Sequence, residues 1–139
     1  MKRKIQSEYS ISNIQSSMVK EGSFDLKDRL IGYAVRIIRL TEALPNTKAG
    51  AHVAGQILRS GTSPAPNYGE ALAAESQADF VHKLKIALKE LRETEIWLQI
   101  IARAKMVSSA KQLAPLLTET DELSAILFTS IQTAKQRKA

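Results

Sequence analysis

The most regular pattern in the chain is a stripe of apolar positions in its second half. Between Asp79 and Lys105 these positions alternate at steps of four and three residues: Phe80, Leu84, Ala87, Leu91, Thr94, Leu98 and Ile101. Such spacing places one apolar face along an α-helix. At about 1.5 Å per residue the helix would be roughly 40 Å long, and it would be stable only if other helices covered that face. The pattern therefore predicts a helical bundle.

Two further stripes predict helices that cover this face. The earlier helix should begin near Ser23 and end before Pro45, because the residue preceding a proline disfavours the α conformation. Its core positions are Leu26, Leu30, Tyr33, Ile37, Leu40 and Leu44. The last helix should follow a turn at 107–109. Its core positions are Leu113, Leu116, Leu117, Leu123, Leu127 and Ile131.

A further helix, second in the chain, is interrupted by prolines. It should begin near Lys48, but Pro64 and Pro66 each lack an amide donor and crowd the preceding turn, so we expect a kink or a short break. Asn67 and Glu70, just beyond, have the spacing of a capping box. We interpret them as a structural polar pair that braces the restarted helix. The alternative is a ligand site lining a pore or cleft.

Four helices joined by short turns favour antiparallel neighbours. The predicted fold class is all-α, an antiparallel up-down-up-down four-helix bundle that spans residues 23–135. Residues 1–22 are polar and serine-rich and predict a flexible N-terminal arm, and residues 136–139 predict a basic C-terminal tail. No stretch approaches the ~18 uncharged residues of a membrane span, and no apolar run follows the basic N-terminus. We therefore expect neither membrane insertion nor export.

Two helices carry a second line of apolar residues away from the main stripe. On the first helix the line is Ile31, Val35 and Ile38, and on the third it is Ile86, Trp97 and Ile100. A bundle helix needs only one apolar sector, so these lines predict a surface buried between subunits. The alternative is a broad core-facing sector with a few ordinary exposed apolar residues.

The net charge of +6 arises at the two ends of the chain. Six of the twenty cations lie there, and the fourteen between them balance the fourteen acids. The terminal cations are Lys2, Arg3, Lys4, Lys135, Arg137 and Lys138. Any attraction to phosphate must therefore come from the tails or from uneven placement of charge on the body.

The helices carry two basic stripes. The first helix has Arg29, Arg36 and Arg39, and the third has Lys85, Lys89 and Arg92. Part of the second stripe can be an ordinary solvated face, because Lys89 can pair with Glu93 one turn away. We predict that stripes and tails contact the backbone of RNA or DNA, with little base stacking because aromatic residues are few.

Residues suited to catalysis or metal binding are sparse. The chain has no cysteine, which suits a reducing compartment, and we expect a cytoplasmic protein. Its two histidines supply one spaced carboxylate–histidine pair, Asp79 with His82, whereas a di-iron bundle site needs two such segments and two more glutamates. Serines near Gly61 lack the strand–turn–helix context of a nucleophile elbow, and no phosphate-loop motif occurs. We expect no enzyme activity, no cofactor and no metal.

Several segments resemble one bacterial family. They are Gln56–Ser63 (QILRSGTS), Asn67–Ala71 (NYGEA) and Ile86–Glu95 (IALKELRETE), followed by Trp97 and Leu98. They look like the four-helix-bundle proteins also called 23S rRNA intervening-sequence or S23-type proteins, over about residues 24–131. Many members have Ser-Ile-Pro-Ala-Asn-Ile-Ala-Glu-Gly at positions 63–71. The Asn and Glu match here, but the proline placement and the final glycine do not.

The resemblance implies a left-handed four-helix bundle that assembles as a ring, usually a pentamer. It also implies a distant link to the accessory variability protein of diversity-generating retroelements, a basic pentamer that works with a reverse transcriptase and nucleic acid. Two functional hypotheses follow. In the first, the protein is a non-enzymatic homo-oligomer that binds RNA or DNA as an accessory factor, with a reverse transcriptase as a further partner. In the second, it is a structural adaptor ring that joins proteins without binding nucleic acid.

Overall fold

The computed structural model describes residues 25–138, and this part of the chain is helical, without a β-strand. Its elements are α1 (Leu26–Ala43), α2 (Lys48–Thr62), α3 (Pro64–Leu72), α4 (Gln77–Arg103), a 3₁₀ turn (Ala110–Gln112) and α5 (Ala114–Lys138). Only Ser63 separates α2 from α3, and the two together form the second helix of the bundle, interrupted at that residue. The fold is therefore the predicted all-α four-helix bundle. The predicted N-terminal arm, with Lys2, Arg3 and Lys4, lies outside the described residues.

The helices pack around one central core. α4 packs against α2, α3 and α5, and α1 packs against the same three helices, so α1 and α4 occupy diagonal corners. Gln77 at the start of α4 donates a hydrogen bond to the carbonyl of Ala134 near the end of α5. Together with the short connections, this contact indicates that successive helices run antiparallel.

The predicted stripes supply that core. Its fully buried members include Leu30, Tyr33, Ile37, Ile57, Leu84, Leu91, Leu98, Leu123 and Leu127. Leu40, Leu44 and Leu117 are half-buried against them. Since burying one such side chain contributes ~1.5–3 kcal/mol, packing of the stripes rather than helix propensity holds the helices in place.

The predicted break in the second helix lies at Ser63. Pro64 and Pro66 have no amide hydrogen to donate to the preceding turn. The amide of Asn67 resumes the helical pattern by donating to the Ser63 carbonyl at 3.2 Å. The loss of two amide donors within three residues accounts for the break, which is confirmed.

The predicted capping box at Asn67 and Glu70 is wrong. Because proline suits the first turn of a helix, α3 begins at Pro64 and Asn67 lies inside it. The Asn67 side-chain amide donates to the Ser63 carbonyl at 3.0 Å and to Ser63 Oγ at 2.9 Å. Glu70 forms an exposed ion pair with Lys83 of α4, with 2.7 Å between Oε1 and Nζ. The two side chains therefore support separate contacts.

Candidate nucleic-acid interface

A groove lies between α4 and α5. Each helix contributes side chains at positions i, i+3, i+4 and i+7, which share one helix face. They are Lys85, Leu88, Lys89 and Arg92 of α4 and Phe128, Ile131, Gln132 and Lys135 of α5. The volume of the groove is about 370 Å³. This basic groove brings the predicted stripe of the third helix next to a predicted C-terminal cation from a distant part of the sequence.

The floor of the basic groove is apolar. Leu88 and Ile131 are 6% and 4% exposed and belong to the core, whereas the Phe128 side chain is 50% exposed. Neither Phe128 nor Gln132 is predicted from the sequence, because neither belongs to a core or basic stripe. Their positions seven and three residues before Lys135, on one face of α5, are the signal that could have found them.

Acidic side chains do not neutralise the basic groove. None of its cations forms an ion pair within the described part of the chain. The pair predicted between Lys89 and Glu93 is wrong, since the Glu93 carboxylate binds the Arg59 guanidinium and accepts a 3.0 Å hydrogen bond from Trp97 Nε1. The sequence has no acid after Glu122, so the part of α5 that lines the groove brings no carboxylate to it.

The basic stripe of α1 is divided between two roles. Arg29 Nη2 lies 2.8 Å from Glu119 Oε1 and 3.0 Å from Glu122 Oε1. The hydrogen bond to Glu119 raises the pKa of Arg29. Arg29 thus joins α1 to α5, and we leave it out of the candidate interface. Arg36 and Arg39 are exposed and form no ion pair among the described residues, but they lie on the helix diagonal to α4.

The C-terminal cations lie on a helix that continues beyond its predicted end. Residues 136–138, predicted as a basic tail, belong to α5, and Lys138 is its last residue. Lys135 and Arg137 are exposed. The helix dipole favours cations near a helix C-terminus, and both residues suit this end of α5.

Most of the predicted second apolar lines lie on the surface. The exposed members are Ile31, Val35 and Ile38 on α1 and Ile100 on α4. Ile86 and Trp97 are half-buried. Trp97 packs against the core and makes an edge contact with His52, with 6.1 Å between the ring centroids. Ile96, which belongs to no predicted line, is 56% exposed.

Potential metal ligands do not gather in the described residues. No group of three or more His, Cys, Asp or Glu side chains there is placed to hold an ion, and Asp79 and His82 gain no further partner for such a site. None of the described helices combines the length and the apolar character that crossing a membrane requires.

Fold and surface define a class of protein, an all-α four-helix bundle with a basic groove and exposed apolar faces. The family model for the 23S rRNA-intervening sequence protein matches residues 11–129, and the chain belongs to this family. It is 40% identical to a solved structure from Bacteroides thetaiotaomicron VPI-5482, a protein with unknown function from the S23 ribosomal protein family. The TM-score is 0.72, and the match covers 76% of this chain and 97% of that chain. No curated protein matches the sequence.

Proposed function

We propose that the protein binds the sugar–phosphate backbone of RNA or DNA through the basic groove, as a homo-oligomeric accessory factor. The observation that carries this proposal is that four cations with no ion pair among the described residues gather at one groove, although residues 5–134 carry equal numbers of cations and acids in total. Cations that lie close together attract a polyanion at that place. Each phosphate they neutralise releases condensed counterions, which favours binding.

The second part of the proposal is assembly of several subunits. The outer face of α4 carries Lys85, Lys89 and Arg92 and, nearer its C-terminus, the exposed Ile96 and Ile100. A neighbouring subunit that covered these isoleucines would remove apolar area from water and leave the basic grooves open. The family resemblance suggests five subunits and a reverse transcriptase as protein partner. Several grooves acting on one strand would bind it with higher avidity than one groove.

A salt series of binding measurements tests the proposal. Labelled RNA and DNA are titrated with the full chain and followed by fluorescence anisotropy. The triple variant Lys85→Ala/Lys89→Ala/Arg92→Ala should bind more weakly, and its slope of log affinity against log salt should be smaller by about 2–3, since each phosphate contact contributes roughly 0.7–0.9. The control Arg36→Ala/Arg39→Ala removes two exposed cations from the diagonal helix and should leave the slope nearly unchanged.

The adaptor function is the second candidate. Ile31, Val35 and Ile38 form an exposed apolar line on α1, which is not one of the helices that form the basic groove. Such a line suits a protein partner. An oligomer that binds neither RNA nor DNA at low salt would contradict the accessory role and support the adaptor.

A further inference from the structure

Phe128 has the most exposed ring among the phenylalanine, tyrosine and tryptophan side chains of the described residues. It is 50% exposed, whereas Tyr33, Tyr68, Phe80 and Trp97 are buried or half-buried. The ring lines the basic groove rather than an isolated stretch of surface. A phenyl ring beside unpaired cations is the combination that single-strand-binding proteins use, because every nucleobase has a face that can stack on it.

A duplex would contact the cations of the basic groove but not its aromatic ring. Its bases are stacked inside the helix, so only its phosphates could reach Lys85, Lys89 and Arg92, and the Phe128 ring would stay uncovered. A single strand offers phosphates and base faces to the same groove. The cations on α4 follow one another at about one helical turn, ~5.4 Å, and therefore form a row along which a backbone can run.

The groove fits a short stretch of strand better than a protein helix. Its volume of about 370 Å³ lies near the lower end of the ~300–1,000 Å³ usual for sites that hold small ligands. The apolar floor consists of Leu88 and Ile131, which supplies fewer anchors than an amphipathic helix usually buries at i, i+3, i+4 and i+7. The cations that line the groove favour an anionic ligand.

We infer that the basic groove holds single-stranded RNA or DNA, with an unpaired base stacked on Phe128 and the flanking phosphates on Lys85, Lys89, Arg92 and Lys135. This inference rests on the proposed function and narrows its substrate to strands with accessible bases. Phe128 acts as the stacking platform, and the cations act as backbone contacts without base specificity.

The test compares single strands with a duplex of equal length, using the full chain at low salt. Labelled oligo(dT), oligo(U) and the duplex are titrated against the wild type, Phe128→Leu and Phe128→Trp. Leucine keeps the apolar volume without an aromatic face, and tryptophan keeps the face. We expect the wild type to bind single strands at least tenfold more tightly than the duplex. Phe128→Leu should lose about tenfold for single strands only, as expected for one stacked base, and Phe128→Trp should retain the preference.

Three outcomes would overturn the inference. Equal affinity of the wild type for single strands and duplex, with no effect of Phe128→Leu, would leave phosphate binding intact and remove the single-strand preference. An acidic peptide such as poly-Glu that binds as tightly as oligo(dT) would assign the groove to protein. Absence of binding to every nucleic acid would overturn the proposed function itself. A thermal melt of Phe128→Leu equal to that of the wild type separates these results from misfolding.

Discussion

Tyr33 is the largest fully buried side chain of the core, and its hydroxyl group makes a hydrogen bond. Its hydroxyl lies 2.6 Å from Thr120 Oγ1. Thr120 donates its own hydrogen to the Leu116 carbonyl at 2.7 Å, so Tyr33 is the donor to Thr120. Burial raises the pKa of Tyr33 to about 12, so the hydroxyl keeps its hydrogen at alkaline pH values where a tyrosine with a pKa of 10.0 would lose it.

Removal of this hydroxyl should lower stability. Tyr33→Phe should cost about 1 kcal/mol, the usual net contribution of one hydrogen bond. Because the pKa is 10.0 in the reference state and about 12 in the fold, the protonated tyrosine stabilises the fold below pH 10.0, and that contribution is lost as pH rises toward about 12. The Tyr33→Phe variant should therefore also lose less stability than the wild type as the pH rises above about 10. Thermal melts at a series of pH values measure both effects.

Tyr68→Phe is the matched control. The Tyr68 hydroxyl makes no hydrogen bond to another described residue, and the ring is half-buried. Its removal should leave the melt nearly unchanged at neutral pH. Equal losses from Tyr33→Phe and Tyr68→Phe would contradict a specific role for the bond to Thr120.

At the scale of elements, α1 and α2 approach closely at Gly61. A β-carbon added there would lie 2.7 Å from Cγ1 and 2.8 Å from Cγ2 of Ile37, closer than packed atoms tolerate. Ile37 is fully buried and cannot turn away into solvent. Gly61 therefore permits the contact between α1 and α2 just before the proline break.

Alanine substitutions at two glycines of α2 should have opposite effects. Gly61→Ala should destabilise the fold by about 1–3 kcal/mol because it overpacks the contact with Ile37. Gly55→Ala, where a β-carbon meets nothing within 4 Å, should stabilise it by about 0.5–1 kcal/mol through helix propensity. Denaturant titrations measure both changes. Equal stability of the two variants would refute the close approach.

Features within one helix are predictable from the sequence, whereas the side-chain contacts between helices are not. The spacing of apolar residues predicts the core stripes, and the two prolines predict the break in the second helix. The spacing of Asn67 and Glu70 is the same at a helix cap and inside a helix, and only the start of α3 at Pro64 distinguishes the two. The basic groove requires Lys89 and Phe128 to line the same gap between α4 and α5. Short turns predict that these two helices are neighbours, but periodicity does not specify which of their side chains line the gap.

At the scale of the whole molecule, substitution of the exposed isoleucines of α4 tests assembly of subunits separately from folding of one subunit. Ile96 and Ile100 are 56% and 39% exposed, so Ile96→Asp/Ile100→Asp should leave the subunit folded while placing unpaired carboxylates in a subunit interface. We expect a ring for the wild type and a helical monomer for this variant, from light scattering coupled to gel filtration and from circular dichroism.

Trp97→Asp provides the comparison. Trp97 is half-buried against the core and donates a hydrogen bond to Glu93. Its replacement should lower the stability of the subunit itself.

A monomeric mass for the wild-type chain at micromolar concentration would contradict the proposed assembly.

Arg29 and Tyr33 close the bundle by joining α1 to α5, through contacts separated by 87 to 93 residues along the chain. The other helices pack against helices that precede or follow them closely, so those pairs can form by a local search. Closing the long loop between α1 and α5 costs more chain entropy. During synthesis, α1 through α4 emerge from the ribosome before α5, the helix that completes their shared core. We expect that core to remain open to chaperones until the segment around Thr120 has left the exit tunnel.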